Sequence, residues 1–276
     1  MTQVREDTRP GWDRIAQGYD KTNTPSQMWI GKEGLTRAGL SAGMKFLDVA
    51  SGSGALSIPA ARMGARVTAV DQSPVMLELL QKRATDEGLK IETHVMDGYD
   101  LKLADNTFDV TGSQFGVMLF EDMPLGLREM VRVTSPAGSV LMTVYGDPHK
   151  IEFFGVFVQA IQAVRPEFAG PPMDPVPLPF QLQDPERLHG ELTKAGLKNV
   201  KVEQITEPTK YPTGRDLWEW IIWSNPIAEH LLDELQLTAA ERDRVEQRME
   251  QLHQERTGGR GPLTLTAPIN IGVGTK

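Results

Sequence analysis

The chain has 276 residues, 39% hydrophobic and 24% charged, an ordinary globular composition that excludes a disordered or fibrous chain and leaves room for a sizeable core. Lys and Arg total 29 against 37 Asp and Glu, a net charge of −8, which disfavours nucleic acid and anionic membranes as general partners. Cysteine is absent, which removes disulfides, thiolate metal sites and cysteine nucleophiles together.

The start, MTQVREDTRP, is polar with charges of both signs and does not read as a secretory signal. Residues 10–38 read as two short helices around Thr24-Pro25, a cap over one end of a sheet. From Met44 to Tyr145, short β-branched runs alternate with helical stretches, the pattern of βαβ units and a parallel sheet. Strands are predicted at 44–50, 65–71, 90–97, 108–116 and 139–146. A helix is expected from Ala55 to Met63, and Ser73-Pro74 supplies an N-cap and a first-turn proline for the next.

Beyond the sheet pattern, Lys150–Val164 is apolar on most faces, though Gln159 and Gln162 break it well short of the roughly 20 residues that span a bilayer. PPMDPVPLPF, 171–180, is too proline-rich for helix and reads as a surface loop or lid. A helix restarts at Asp184-Pro185 and stops at Gly196, and a strand follows at 199–206. Leu217–Leu235 is helical with a break at Asn225-Pro226, and Ala239–Arg256 is amphipathic. The closing PLTLTAPINIGVGTK reads as a last strand, with Pro268 confining part of it to a sheet edge.

The segment that carries chemistry is Asp48-Val49-Ala50-Ser51-Gly52-Ser53-Gly54, where a first strand ends and a helix begins, the ligand position of open α/β sheets. Its glycines permit a tight turn and close backbone approach, and the helix beyond offers free N–H groups. A plain strand-to-helix turn is the bland alternative. A dinucleotide fingerprint needs glycine at position 57, where Ser57 stands, so an NAD-dependent oxidoreductase is disfavoured. Asp71 ends the second strand, where a carboxylate can accept from both ribose hydroxyls of an adenosine, or merely cap the helix at Ser73. Asp97-Gly98 ends the third.

These residues resemble the class I S-adenosylmethionine-dependent methyltransferases, within them the small-molecule group of the ubiquinone and menaquinone biosynthesis methyltransferases. The resemblance runs through Asp48, Ala50, Gly52 and Gly54, then Val70–Leu77, Asp97-Gly98, Leu103–Val110, Arg128–Met130, Arg132-Val133 and Pro136–Gly138, and covers 44–145. Ala137 departs from it where the family usually has a second glycine.

The resemblance implies a Rossmann-like, seven-stranded, mostly parallel sheet with helices on both faces, a helical N-terminal cap and helical insertions near the C-terminus. It implies a single domain over 1–276, with cap 1–40, cofactor-binding core 41–147, substrate-side insertions 148–183 and 211–256, and remaining core elements 184–210 and 257–276. It also implies S-adenosyl-L-methionine as cofactor. Asp48, Ala50, Ser51, Gly52 and Gly54 would lie around the methionine part, and Asp71 on the ribose, with Gln72 and Met76 beside the adenine. Asp97 would accept from the adenine amino group, with Gly98 giving a backbone contact, Ser113 and Gln114 would lie near the methionine chain and the methyl group, and Tyr19 would belong to the cap that closes over the cofactor.

The segment after the fourth strand, Ser113-Gln114-Phe115-Gly116, lacks the Asn/Asp-Pro-Pro-aromatic motif of related enzymes that methylate exocyclic amines, which with the absence of cysteine points away from nucleic-acid bases. The expected acceptor is a small aromatic or apolar molecule, with O or C as the leading reading, although nothing in the sequence separates O-, N- and C-methylation. Phe153, Phe154, Phe157, the proline-rich loop, Trp218, Trp220 and Trp223 could line its pocket, or be core. His149 is a weak candidate base, and a solvated loop histidine is the favoured reading. His94, His189, His230 and His253 show no metal-ligand spacing, so no metal is expected. The remaining expectations are a cytoplasmic monomer or homodimer, with a catalytically silent cofactor-binding regulator as the alternative function.

Overall fold

A computed structural model describes residues 7–276, apart from the side chains of 227–230. The sheet has seven strands in the order β3-β2-β1-β4-β5-β7-β6. β1 (Lys45–Val49), β2 (Arg66–Asp71), β3 (Ile91–Val95), β4 (Phe108–Gln114) and β5 (Thr134–Tyr145) pair in parallel. β7 (Leu263–Thr275) lies antiparallel between β5 and β6 (Lys198–Tyr211). The Rossmann-like, mostly parallel expectation holds.

The parallel strands are apolar on both faces because helices cover both; Phe46, Leu47, Val110, Val140 and Leu141 are all buried in the main core. β1 and β4 are neighbours although β2 and β3 intervene in sequence, so the order reverses between them. Loops diverge at that point and leave a crevice at the strands' carboxyl ends.

α1 (Arg9–Arg37) is one continuous helix through Pro25, where two short helices were expected. The proline removes a backbone donor and costs about 3 kcal/mol in a helix interior. Tertiary bonds on either side offset this: Asn23 Nδ2 donates to the Trp220 carbonyl at 3.2 Å, and Thr24 Oγ1 shares a 2.5 Å bond with Ser53 Oγ.

α2 (Ser57–Arg62) is shorter than expected, whereas α3 (Pro74–Asp86) begins where its signals lie, with Ser73 Oγ accepting from the Met76 N–H at 3.1 Å. α4 (Met123–Val133) leads into β5, which starts earlier than expected and includes Ala137 in the left-handed region at φ +63°.

α5 (Glu152–Ile161), α6 (Pro185–Lys194), α7 (Gly214–Ser224), α8 (Pro226–Glu234) and α9 (Ala239–Thr257) follow. Buried residues of α5, α7, α8 and α9 join Tyr211, Leu263 and Leu265 at the strand ends in a second apolar cluster.

The expectation of an edge position for Pro268 fails, because β7 is flanked on both sides and β6 is the edge. Pro268 is accommodated by register: its carbonyl accepts from Gly146 N–H at 2.8 Å, just past the last β5 pair, Tyr145↔Ile269. Both backbone groups of a strand residue point the same way, so its missing donor faces the strand where that strand has ended.

Candidate active site

A cavity of about 690 Å3 opens at the carboxyl ends of β1, β2, β3 and β4. Tyr19, Asp48, Ala50, Ser51, Gly52, Asp71, Gln72, Met76, Asp97, Gly98 and Gln114 line it, so residues dispersed over almost 100 positions converge on one space. Gly54 and Ser113 do not reach it. Gly54, at φ +100°, is the turn that lets the loop enter α2, and Ser113 Oγ is buried, accepting from the Val117 N–H at 3.0 Å.

Asp71 holds the glycine loop. Oδ2 accepts from the Gly52 N–H at 2.8 Å and Oδ1 from the Ser73 N–H at 2.9 Å. Each carboxylate oxygen retains acceptor capacity toward the cavity. Burial pushes its pKa up, opposed by those backbone donors.

Asp48 is 1% exposed. Its Oδ2 accepts from Ser57 Oγ at 2.6 Å, while Oδ1 is buried without a partner among the described residues. Burial raises its pKa to about 7; the Ser57 bond opposes the rise, and the charge of Asp71 adds to it. Ser57, read in sequence only as the absence of a glycine, therefore orients the site's most buried acid.

Asp97 is exposed, with Oδ1 accepting from the Tyr99 N–H at 2.9 Å. Gln72 Nε2 donates to Thr8 Oγ1 at 2.9 Å, tying the rim to the start of α1. Tyr19 donates to Gln27 Oε1 at 3.0 Å, and the next residue, Asp20, receives Arg83 from α3 at 2.7 Å. The ion pair ties α1 to α3 beside the cavity.

A second, apolar chamber of about 220 Å3 lies beside the first, with Trp12, Tyr19, Phe115, Leu119 and Asn225 bordering both. Phe153, Phe154, Phe157 and Pro171, Pro172, Pro177 and Pro179 of the proline-rich loop line it as expected. Trp218, Trp220 and Trp223 do not. Trp218 and Trp220 are buried in the second cluster, Trp220 with its Nε1 on Ser26 Oγ at 3.1 Å, and Trp223 packs against Gly18.

His149 is exposed on the 148–150 turn, outside both cavities. Among the described residues there is no cluster able to hold a metal, and no helix is long and apolar enough to cross a membrane.

Sequence reasoning missed Trp12, Tyr99, Phe120 and above all Phe115. The signal was the Phe115-Gly116 pair at the end of β4, quoted only for a motif it lacks. Phe115 has φ +55°, as Ala50 on the neighbouring strand has φ +56°, and left-handed non-glycine residues side by side mark a strained strand edge, at about 1–3 kcal/mol each.

The profile described as "Methyltransferase domain" matches residues 47–142, the segment that supplies most of the lining of the larger cavity. A demethylmenaquinone methyltransferase of Corynebacterium urealyticum is 31% identical over 207 residues, covering 71% of this chain and 87% of that protein. An uncharacterized protein of Mycobacterium bovis is 36% identical over 132 residues, 48% of this chain, which therefore spans about half (47%) of that relative's length.

Among solved structures, the YcgJ protein of Bacillus subtilis aligns over 91% of this chain and 97% of its own at 15% identity and TM-score 0.56. A Methanococcus maripaludis protein, described as a putative S-adenosyl-L-methionine-dependent methyltransferase, aligns over 74% and 91% at 22% and 0.53. These structures share the fold. The chain belongs to the class I S-adenosylmethionine-dependent methyltransferases. Within that class it resembles the enzymes of ubiquinone and menaquinone biosynthesis.

Proposed function

We propose that this chain transfers a methyl group from S-adenosylmethionine to a small, uncharged aromatic or apolar acceptor, at oxygen or carbon. The observation that carries the reading is the pairing of a carboxylate-lined cavity with an apolar chamber across one shared wall. The chain's own residues fit the cofactor, since the unpartnered Oδ1 of Asp48 awaits a donor such as an amino group and Asp71 keeps acceptor capacity for a diol.

In this reading Asp71 binds the ribose, and Gln72 and Met76 flank the adenine. Asp97 meets its amino group with Gly98 adding a backbone contact, Asp48 and the loop from Ala50 to Gly52 hold the methionine part, and Gln114 borders the transfer point. Ser113 and Gly54 act from behind, by shaping the loops. Bound S-adenosylmethionine supplies an already electrophilic sulfonium methyl, so the protein's work is positioning, which can contribute up to about 7–11 kcal/mol. Tyr19 and the Asp20–Arg83 pair hold α1 beside the cavity, and the aromatic chamber keeps water from the acceptor. No role falls to His149. The segments 148–183 and 211–256 are acceptor-side additions to the cofactor-binding core of a single domain.

Calorimetric titration with S-adenosylmethionine, S-adenosylhomocysteine and NAD tests the reading. The first two are expected to bind and NAD not; binding of NAD alone, or of none, would sink it. A silent regulator would bind the cofactor but turn over no acceptor, and no observation favours it.

A pH series adds a second check. Burial lifts the Asp48 pKa above its unfolded value, so its neutral form favours the folded state, and the empty protein loses that contribution as pH rises from about 4 toward 7. Cofactor binding through an ammonium group has the opposite sign and favours the ionised form. Affinity for S-adenosylmethionine should therefore rise with pH up to about 7, by at most about tenfold per unit, and then level off. In Asp48→Asn the rise should flatten; a wild-type pH profile in that variant would remove Asp48 from cofactor binding.

A further inference from the structure

Phe115, at the end of β4, belongs to the wall shared by the two cavities, and Tyr145, at the end of β5, backs it from the apolar chamber. Phe115 lies in the left-handed region just after β4, its N–H donating to the Thr143 carbonyl of β5 at 2.9 Å. Gly116 lets this turn press on the glycine loop, since a Cβ there would sit 2.6 Å from the Cβ of Ala50. The Phe115 ring thus borders both cavities and stacks on Tyr145, centroids 4.5 Å apart and planes 17° from parallel. Phe153 meets the Tyr145 ring at 6.3 Å edge-on, and Phe180 at 6.5 Å. Three aromatic neighbours therefore hold the Tyr145 ring in one orientation.

Tyr145 lines the chamber, and its hydroxyl has no hydrogen-bond partner among the described residues. Burial, then the nearby Glu207, raise its pKa well above the usual value, so the hydroxyl keeps its proton and can donate. The rest of the chamber is chiefly aromatic and prolyl, and no Lys, Arg or His stands among the described lining residues. An anion entering it would lose hydration without a counter-charge.

We propose that Tyr145 is an acceptor-positioning and specificity-determining residue, donating its hydroxyl hydrogen bond to the oxygen of an uncharged ring-hydroxyl acceptor that lies against Phe115, Phe153 and Phe180. This rests on the methyl-transfer reading above and adds to it a polar anchor and a selection against anions. Anchored at Tyr145, the ring is held beside Phe115, at the border with the cofactor cavity.

The test uses protein loaded with S-adenosylhomocysteine and three probes of one ring size: naphthalene, 2-naphthol and 2-naphthoate. Loaded wild type is expected to bind 2-naphthol, and 2-naphthoate at least about tenfold more weakly. Tyr145→Phe should weaken 2-naphthol about five- to tenfold, the loss of one neutral hydrogen bond, while leaving naphthalene and S-adenosylhomocysteine unchanged. A merely structural role would move naphthalene and naphthol together, and that result overturns the proposal. So does unchanged naphthol binding in the variant, equal binding of naphthoate in wild type, or no naphthol binding to loaded protein. Failure of S-adenosylhomocysteine itself to bind would instead remove the underlying methyl-transfer reading, and this inference with it.

Discussion

Replacing Asp71 with alanine is expected to weaken S-adenosylmethionine and S-adenosylhomocysteine together by about 100- to 10,000-fold while the protein stays folded. The carboxylate has two tasks. It would receive the ribose hydroxyls, and hydrogen bonds to a charged acceptor contribute about 1.5–3 kcal/mol each. It also fixes the glycine loop through the Gly52 N–H and the start of α3 through the Ser73 N–H, which alanine leaves without their acceptor. Asp71→Asn retains one acceptor oxygen and should fall between alanine and wild type. The fold should survive, because α3 keeps its Ser73 cap on the Met76 N–H and the main core lies elsewhere. Calorimetry with circular dichroism reads both effects; a folded alanine variant that binds within threefold of wild type would remove Asp71 from the site.

The second large effect is one of stability. Gly214 opens α7 against the backbone of α9, and a Cβ there would lie 2.4 Å from Glu250 Cα, 2.5 Å from its nitrogen and 2.6 Å from the carbonyl carbon of Met249. No flexible side chain can yield, so the helices themselves must separate. The Gly214 N–H also donates to Glu250 Oε2 at 2.8 Å, a bond that separation would stretch. Gly214→Ala should cost about 1–3 kcal/mol or more, a fall in Tm of about 3–10 °C for a chain of this size. Loss should also reach the chamber, because α7 places Trp220 against Phe153 at 4.8 Å. Cofactor affinity should change little, since that cavity rests chiefly on β1 to β4. Scanning calorimetry decides the matter, and an unchanged Tm would mean that the α7–α9 contact is looser than described.

Much of the cofactor half was legible because its determinants are local. A short apolar run before a glycine turn defines a buried strand entering a helix, and Ser73-Pro74 writes a helix start with its own hydrogen bond. Asp48, Asp71 and Asp97 stand at the carboxyl ends of strands predicted from the sequence, so parallel pairing alone brings them to one edge of the sheet. The acceptor side was less legible, because aromatic residues suit a core and a pocket equally well. Phe153, Phe154 and Phe157 were separated from Trp218, Trp220 and Trp223 only by the packing of α5 and α7.

The local pattern by itself determined the strands, the helix caps and the acids of this protein, since each depends on neighbours a few residues away. Tertiary structure alone decided the continuity of α1 through Pro25, the interior place of β7, the orientation of Asp48 by Ser57 and the stacking of Phe115 on Tyr145. Each of these depends on groups remote in sequence or on the register between strands, where the free energy of a contact outweighs the local preference it overrides.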